Sequence, residues 1–147
     1  MRKAIYFDMD GTIANFYGVD GWLESIIARD VKPYAVARPL VNMSALARLI
    51  HRLQRAGYTV GIISWLAKIT TAEYDEAVTA TKRAWLAKHL PSVDFDEIKI
   101  VKYGTPKQTL GQGILFDDEK PNRDAWIGKA YDVENITEIL KEILKNA

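Results

Sequence analysis

The sequence predicts a single α/β domain with a mainly parallel sheet and helices on both faces, a three-layer α/β/α sandwich. Three observations carry this expectation. Short apolar, β-branched runs alternate with longer stretches of helical spacing, the order that crossover-connected parallel strands require. Three of these runs end in polar side chains: Asp8 and Asp10 after the first, Ser64 after the second, and Asp117 and Asp118 after a later one. The length, 147 residues, favours one domain and is enough to bury a continuous core.

The first run, Ala4-Ile5-Tyr6-Phe7, has the length of a buried strand and stops at Asp8-Met9-Asp10-Gly11-Thr12, where Gly11 lets the backbone turn sharply. Residues 15–38 carry Phe16, Tyr17, Trp22, two glycines and Pro33, and read as a small cap or insertion with one short helix over 23–29. Leu40, Met43, Leu46, Ile50 and Leu53 then recur at helical spacing, with Gly57 placed to end that helix. A second strand follows over 59–64. Thr70 and Glu73 have the spacing of a capping box, so a helix is expected from Thr70 as cap to about His89, before Pro91. A third strand is expected over 97–101. Gly104, Pro106 and Gly111 mark turns, and a fourth strand over 113–118 ends in two carboxylates. A short fifth strand over 130–133 precedes a closing helix, whose apolar stripe is Ile136, Ile139, Leu140, Ile143 and Leu144 and whose cap is Asn135.

Composition narrows the partners. The chain is 48% hydrophobic and 27% charged, and its 20 basic and 19 acidic residues leave a formal charge of +1. No strong field draws it to nucleic acid or anionic lipid. The absence of cysteine excludes disulfides, thiolate metal sites and cysteine nucleophiles. Met1-Arg2-Lys3 brings charge too early for a signal peptide, and no stretch is apolar enough to span a bilayer, so a cytoplasmic protein, monomeric or homodimeric, is expected.

If the strands are parallel, Asp8, Asp10, Ser64, Asp117 and Asp118 converge on the sheet edge where open α/β folds bind ligands. Four carboxylates crowded together raise one another's pKa unless a cation neutralises them. Mg²⁺ suits an oxygen-only set that leaves room for water and a phosphate, and the lack of cysteine or a His-x-x-x-His pair argues against zinc. His51 and His89 lie within helical patterns and have no catalytic partners in sequence.

The ordered set of Asp8-Met9-Asp10-Gly11-Thr12, Ser64, a later lysine and Asp117-Asp118 resembles the four motifs of the haloacid dehalogenase (HAD) superfamily across nearly the whole chain. The resemblance implies a HAD-like, Rossmann-type fold and a Mg²⁺-dependent phosphomonoesterase acting on a small phosphorylated substrate. Asp8 would be the nucleophile that forms an aspartyl-phosphate, and Asp10 the general acid and base. Mg²⁺ would be held by Asp8, the backbone carbonyl of Asp10 and Asp117, with Asp118 orienting waters or ligating. Thr12, Ser64 and a lysine would bind the phosphoryl group, the lysine being Lys82 or Lys107. Residues 82–91 and 114–122 are similar to the 5′(3′)-deoxyribonucleotidase group, which implies a nucleoside monophosphate, although Trp65 stands where that group tends to have a small hydroxyl residue. Phe16, Trp22, Trp65 and Lys68 are the candidates for contact with the rest of the substrate. The alternatives are a sugar phosphate, a phosphorylated polymer end, or a catalytically silent binding module.

Overall fold

The first strand, β1 (Ala4–Phe7), is buried at every position. The other described strands are β2 (Thr59–Trp65), β3 (Glu97–Val101), β4 (Gly113–Phe116) and β5 (Gly128–Tyr131), in the spatial order β3-β2-β1-β4-β5, so that β1 lies between β2 and β4. All pairings are parallel. The computed structural model describes residues 3–147; Met1 and Arg2, part of the charged terminus noted above, lie outside the described residues. Strand β1 is central because its side chains are apolar on both faces, as a strand covered twice requires.

Among the described residues six helices connect and cover the strands: α1 (Trp22–Ile27), α2 (Lys32–Val36), α3 (Met43–Arg55), α4 (Ala72–His89), α5 (Lys120–Ala125) and α6 (Ile136–Lys145). On one face Ile5, Phe7, Val60, Ile62 and Phe116 pack with Leu46, Ile50 and Leu53 of α3, Trp85 and Leu86 of α4, and Ile136 and Leu140 of α6. Each such side chain contributes about 1.5–3 kcal/mol on burial. On the other face Ala4, Tyr6, Ile63 and Leu115 pack with Trp126, just past α5, and with Leu110. This second layer is thinner than the sequence suggests. Between β3 and β4 the chain makes only a 3-10 turn at Lys107–Thr109, because Gly104, Pro106 and Gly111 leave no room for a longer helix. Among the described residues no helix is long and apolar enough to cross a membrane.

Two local readings are corrected. Leu40 precedes α3 and is 45% exposed; Asn42 caps that helix by accepting from the Ala45 amide. The cap of α4 is Thr71, which accepts from the Tyr74 amide, while the Thr70 hydroxyl donates to Asp75. Asn135 does stand at the N-cap of α6, as expected, without a side-chain capping bond. The strands themselves shift by one or two residues: β4 stops at Phe116, so Asp117 and Asp118 lie just past it.

The segment between β1 and α3 departs from and returns to one place. Ala14 bridges Pro39, and the Asn15 amide donates to the Arg38 carbonyl at 2.7 Å. Within the segment Phe16 and Tyr34 are buried against Leu66, Tyr74 and Val78. The Trp85 indole, donating to the Ala37 carbonyl at 2.8 Å, ties its returning arm to α4.

Candidate active site

The register of the sheet brings the acids together. Phe7 pairs with both Ile62 and Phe116, so the next residue of β1, Asp8, stands level with Ile63 and Asp117. Chain order reverses at β1, with β2 on one side and β4 on the other, and Asp8 and Asp117 therefore flank the topological switch point. The Asp8 amide extends the ladder by one bond to the Phe116 carbonyl, 2.9 Å, after which the chain leaves the sheet. It turns at once: the Met9 carbonyl accepts from the amides of Thr12, Ile13 and Ala14, and Gly11 adopts φ +81°. Only glycine suits position 11, because a Cβ there would lie 2.3 Å from Asp118 Oδ2.

Each of the two acids that follow β1, Asp8 and Asp10, has its own lysine. Lys107, in the turn before β4, is 2% exposed, and its Nζ donates to Asp8 Oδ1 (3.1 Å), Asp117 Oδ2 (2.7 Å) and the Ile63 carbonyl (3.2 Å). Lys82, midway along α4, is 1% exposed and donates to Asp10 Oδ2 (3.0 Å), Ser64 Oγ (2.7 Å) and the Trp65 carbonyl (2.8 Å). Both ammonium groups thus use all three of their donors. Both lysines left as candidates by the sequence reach the acids, and they do so at different carboxylates. The Tyr34 ring, 5.2 Å from the Lys82 ammonium, adds a cation–π contact from α2.

Thr12 joins the remaining acids. Its Oγ1 lies 3.2 Å from both Asp8 Oδ2 and Asp118 Oδ1, and accepts from the Asp118 amide. Asn122 and Arg123 of α5 hold Asp117, the first through Oδ2 and the second through its backbone carbonyl. Neither contact was read from the sequence, though the polar start of the segment after Asp118 is the visible trace of it.

Electrostatics follow from this crowding. Burial pushes the Asp118 carboxyl up to about 8, with the Asp8 charge adding to it. Burial and Asp8 push Asp117 up to about 6 against the pull of Lys107. Asp10 is raised too, first by burial, with Lys82 opposing and Asp8 reinforcing. For Lys107 burial lowers the pKa, but Asp8 and Asp117 outweigh it and hold the ammonium above its ordinary value. Carboxylate oxygens of Asp8, Asp117 and Asp118 lie within 4.8 Å of one another. One lysine against three carboxylates leaves excess negative charge, so a hard divalent cation fits this oxygen-only donor set in both charge and chemistry. The Asp10 carboxylate stands outside that cluster, with Lys82.

Above the acids opens a cavity of about 800 Å³. Asp8, Asp10 and Lys107 reach its surface, whereas Thr12, Ser64 and Lys82 are buried behind it. All four residues singled out for substrate contact line it. Phe16 does so from a buried position against Tyr34, ring centroids 4.6 Å apart. Trp22 packs edge-on against Tyr17 at 5.1 Å. Trp65 donates from its indole to the Thr105 carbonyl and lies 4.9 Å from the Tyr103 ring, and Lys68 is exposed with its ammonium 5.8 Å from that ring. The sequence reading missed Tyr34, Ile69 and Tyr103 on these walls.

No protein-family model matches the chain, and no curated protein matches it. Solved structures do. The D,D-heptose 1,7-bisphosphate phosphatase of B. bronchiseptica, complexed with magnesium and phosphate, matches with a TM-score of 0.61 at 13% identity over 100% of both chains. The D,D-heptose 1,7-bisphosphate phosphatase of Burkholderia thailandensis matches with a TM-score of 0.60 at 13% identity, over 97% of this chain and 99% of its own. The likeness shows a shared fold, a Rossmann-like α/β fold built on a five-stranded parallel sheet.

Proposed function

We propose that the chain is a Mg²⁺-dependent phosphomonoesterase with Asp8 as its nucleophile. The observation that carries this reading is the placement of two differently paired acids, Asp8 with Lys107 and Asp10 with Lys82, on the floor of one cavity at the carboxyl edge of the sheet. The phosphatase neighbours, one of them holding magnesium and phosphate, support it.

The residues divide the work as follows. Asp8 attacks phosphorus, the bond to the ester oxygen breaks, and an aspartyl-phosphate forms. Asp10 gives its proton to the departing alkoxide, then takes one from the water that hydrolyses the acyl phosphate. Its raised pKa suits a group that must hold and release a proton. Asp8, Asp117 and Asp118 would hold Mg²⁺, which would supply positive charge to offset repulsion between the nucleophile and the phosphate. Lys107 and Lys82 are both saturated by protein oxygens, so phosphate binding requires an exchange of partners at one of them. Ser64 and Thr12 fix Lys82 and Asp8, and in this reading their hydroxyls serve phosphoryl oxygens once those partners exchange.

Two substrate classes have support. The similarity of residues 82–91 and 114–122 to nucleotidases favours a nucleoside monophosphate, and the aromatic walls suit a base. The heptose bisphosphate phosphatase neighbours favour a sugar phosphate at least as well. Residues 15–38 act in this reading as a small cap. The test is hydrolysis of p-nitrophenyl phosphate with Mg²⁺ against EDTA, with Asp8→Asn as control, followed by a screen of sugar phosphates and of ribo- and deoxyribonucleotides in 5′ and 3′ forms. Metal-dependent turnover that disappears in Asp8→Asn is expected; turnover that persists in the variant would refute the mechanism.

A further inference from the structure

The chemistry of the cavity changes with height. At the floor stand two acids and Lys107, and above them the walls are apolar on both sides. Leu23, Ile26 and Ile27 share one face of α1, spaced three and four residues apart, while Trp65, Ile69 and Tyr103 come from the ends of β2 and β3 and the loops beyond. Eight large hydrophobic side chains are exposed among the described residues, and five of them, Tyr17, Leu23, Ile27, Ile69 and Tyr103, line this one cavity. Ile69 is 73% exposed and Ile27 68%. Apolar exposure gathered at one mouth, continuous with a catalytic floor, marks a surface that a ligand covers; scattered exposure carries no such meaning.

Polar partners above the floor are few. Arg29, Lys68 and Glu119 stand exposed at the mouth, Asn122 already donates to Asp117, and otherwise the walls offer only the phenol groups of Tyr17, Tyr34 and Tyr103 and the Trp22 indole. A sugar brought between these walls finds fewer partners than it has hydroxyls, whereas an apolar group exchanges wetted side chains for contact. Resting on the phosphomonoesterase reading above, we propose that the substrate is the phosphate monoester of a bulky, mainly apolar alcohol, whose leaving group sits between α1 and the loops after β2 and β3. Hydrolysis then gives that alcohol and inorganic phosphate, with no further reactant than water. A flat ring and an aliphatic chain offer the same apolar chemistry, and the choice between them is an arm of the test.

The experiment compares kcat/KM for octyl phosphate, 2-phenylethyl phosphate, glucose 6-phosphate and fructose 1,6-bisphosphate. All are hydrolysed at esters of primary alcohols, so intrinsic reactivity differs little and binding decides. One or both apolar esters are expected to exceed the sugar esters by at least about tenfold, with the better of the two naming ring or chain. Ile69→Ser and Leu23→Ser, at exposed positions the fold tolerates, are expected to lower kcat/KM for the preferred apolar ester more than for glucose 6-phosphate. Sugar esters turned over as well or better, in an Asp8-dependent reaction, would overturn the apolar leaving group and leave the phosphatase standing. If no ester at all is hydrolysed, the phosphatase reading falls and this inference falls with it.

Discussion

Replacing Lys107 by methionine tests how the site holds its charge. The substitution keeps the unbranched side chain to within one atom of its length and removes the cation that lies 2.7 Å from Asp117 and 3.1 Å from Asp8. Without it, Asp117 takes up a proton. Its carboxyl already stands at about 6, so completing that uptake at pH 7 costs only about 1.4 kcal/mol. The charge-assisted bond from Lys107 to Asp8 is lost outright, at about 1.5–3 kcal/mol. Together these give a loss of about 3–4 kcal/mol, in the range found on breaking buried ion pairs. At roughly 2–4 °C per kcal/mol for a chain of this size, the midpoint of thermal unfolding falls by roughly 6–16 °C. The pH dependence has a definite sign. In the variant the native state binds a proton at Asp117 that the unfolded state, with its ordinary carboxyl, does not bind above about pH 4, so stability falls as pH rises. Asp117 of the parent, at about 6, itself takes up part of a proton over the same range, so the penalty relative to the parent protein shrinks by about 1 kcal/mol between pH 7 and pH 6. Urea unfolding of both proteins in EDTA at the two pH values reads this directly. Equal midpoints at pH 7, or a penalty that grows on acidification, would show that Lys107 does not neutralise these carboxylates.

Two other perturbations probe separate parts of the site. Asp10→Asn is expected to lower kcat/KM by about 10²–10⁴ with alkyl phosphates and by less with p-nitrophenyl phosphate, whose leaving group needs no proton; an equal loss on both would deny Asp10 the acid role. Gly11→Ala forces a side chain into a left-handed backbone and against Asp118 Oδ2, so it is expected to cost about 1–3 kcal/mol in stability and to weaken the stabilisation of the protein by added Mg²⁺, both measured by thermal unfolding in a Mg²⁺ titration.

What the sequence made legible and what it hid have physical reasons. Strands and their polar ends are local patterns, so Asp8, Ser64 and Asp117 could be placed on one sheet edge once the strands were taken as parallel. The fold class followed from the same alternation. The lysines are a different case. Lys82 and Lys107 reach the acids from α4 and from the turn before β4, elements 18 residues from Ser64 and 10 from Asp117, and no local pattern encodes which carboxylate each will find. Thr71 displaced Thr70 as a helix cap because two adjacent hydroxyls satisfy the same motif and only the backbone geometry separates them. The cavity walls were least legible. Tyr34, Ile69 and Tyr103 lie in three separate connections, and their shared surface exists only after the sheet has brought those connections to one end.

The Ala14–Pro39 bridge and the Asn15–Arg38 bond give the chain a closed neck at the base of the cavity's outer wall. Once the two ends of an excursion are pinned together, its length is nearly free: each doubling adds only about 0.6 kcal/mol of closure entropy. Insertions or deletions beyond the neck that spare Phe16 and Tyr34, the latter packed on Lys82, therefore leave the placement of Asp8 and Asp10 almost unchanged. Substrate preference and catalytic geometry can thus drift at independent rates, with the neck as the boundary between the part that varies and the part that is held.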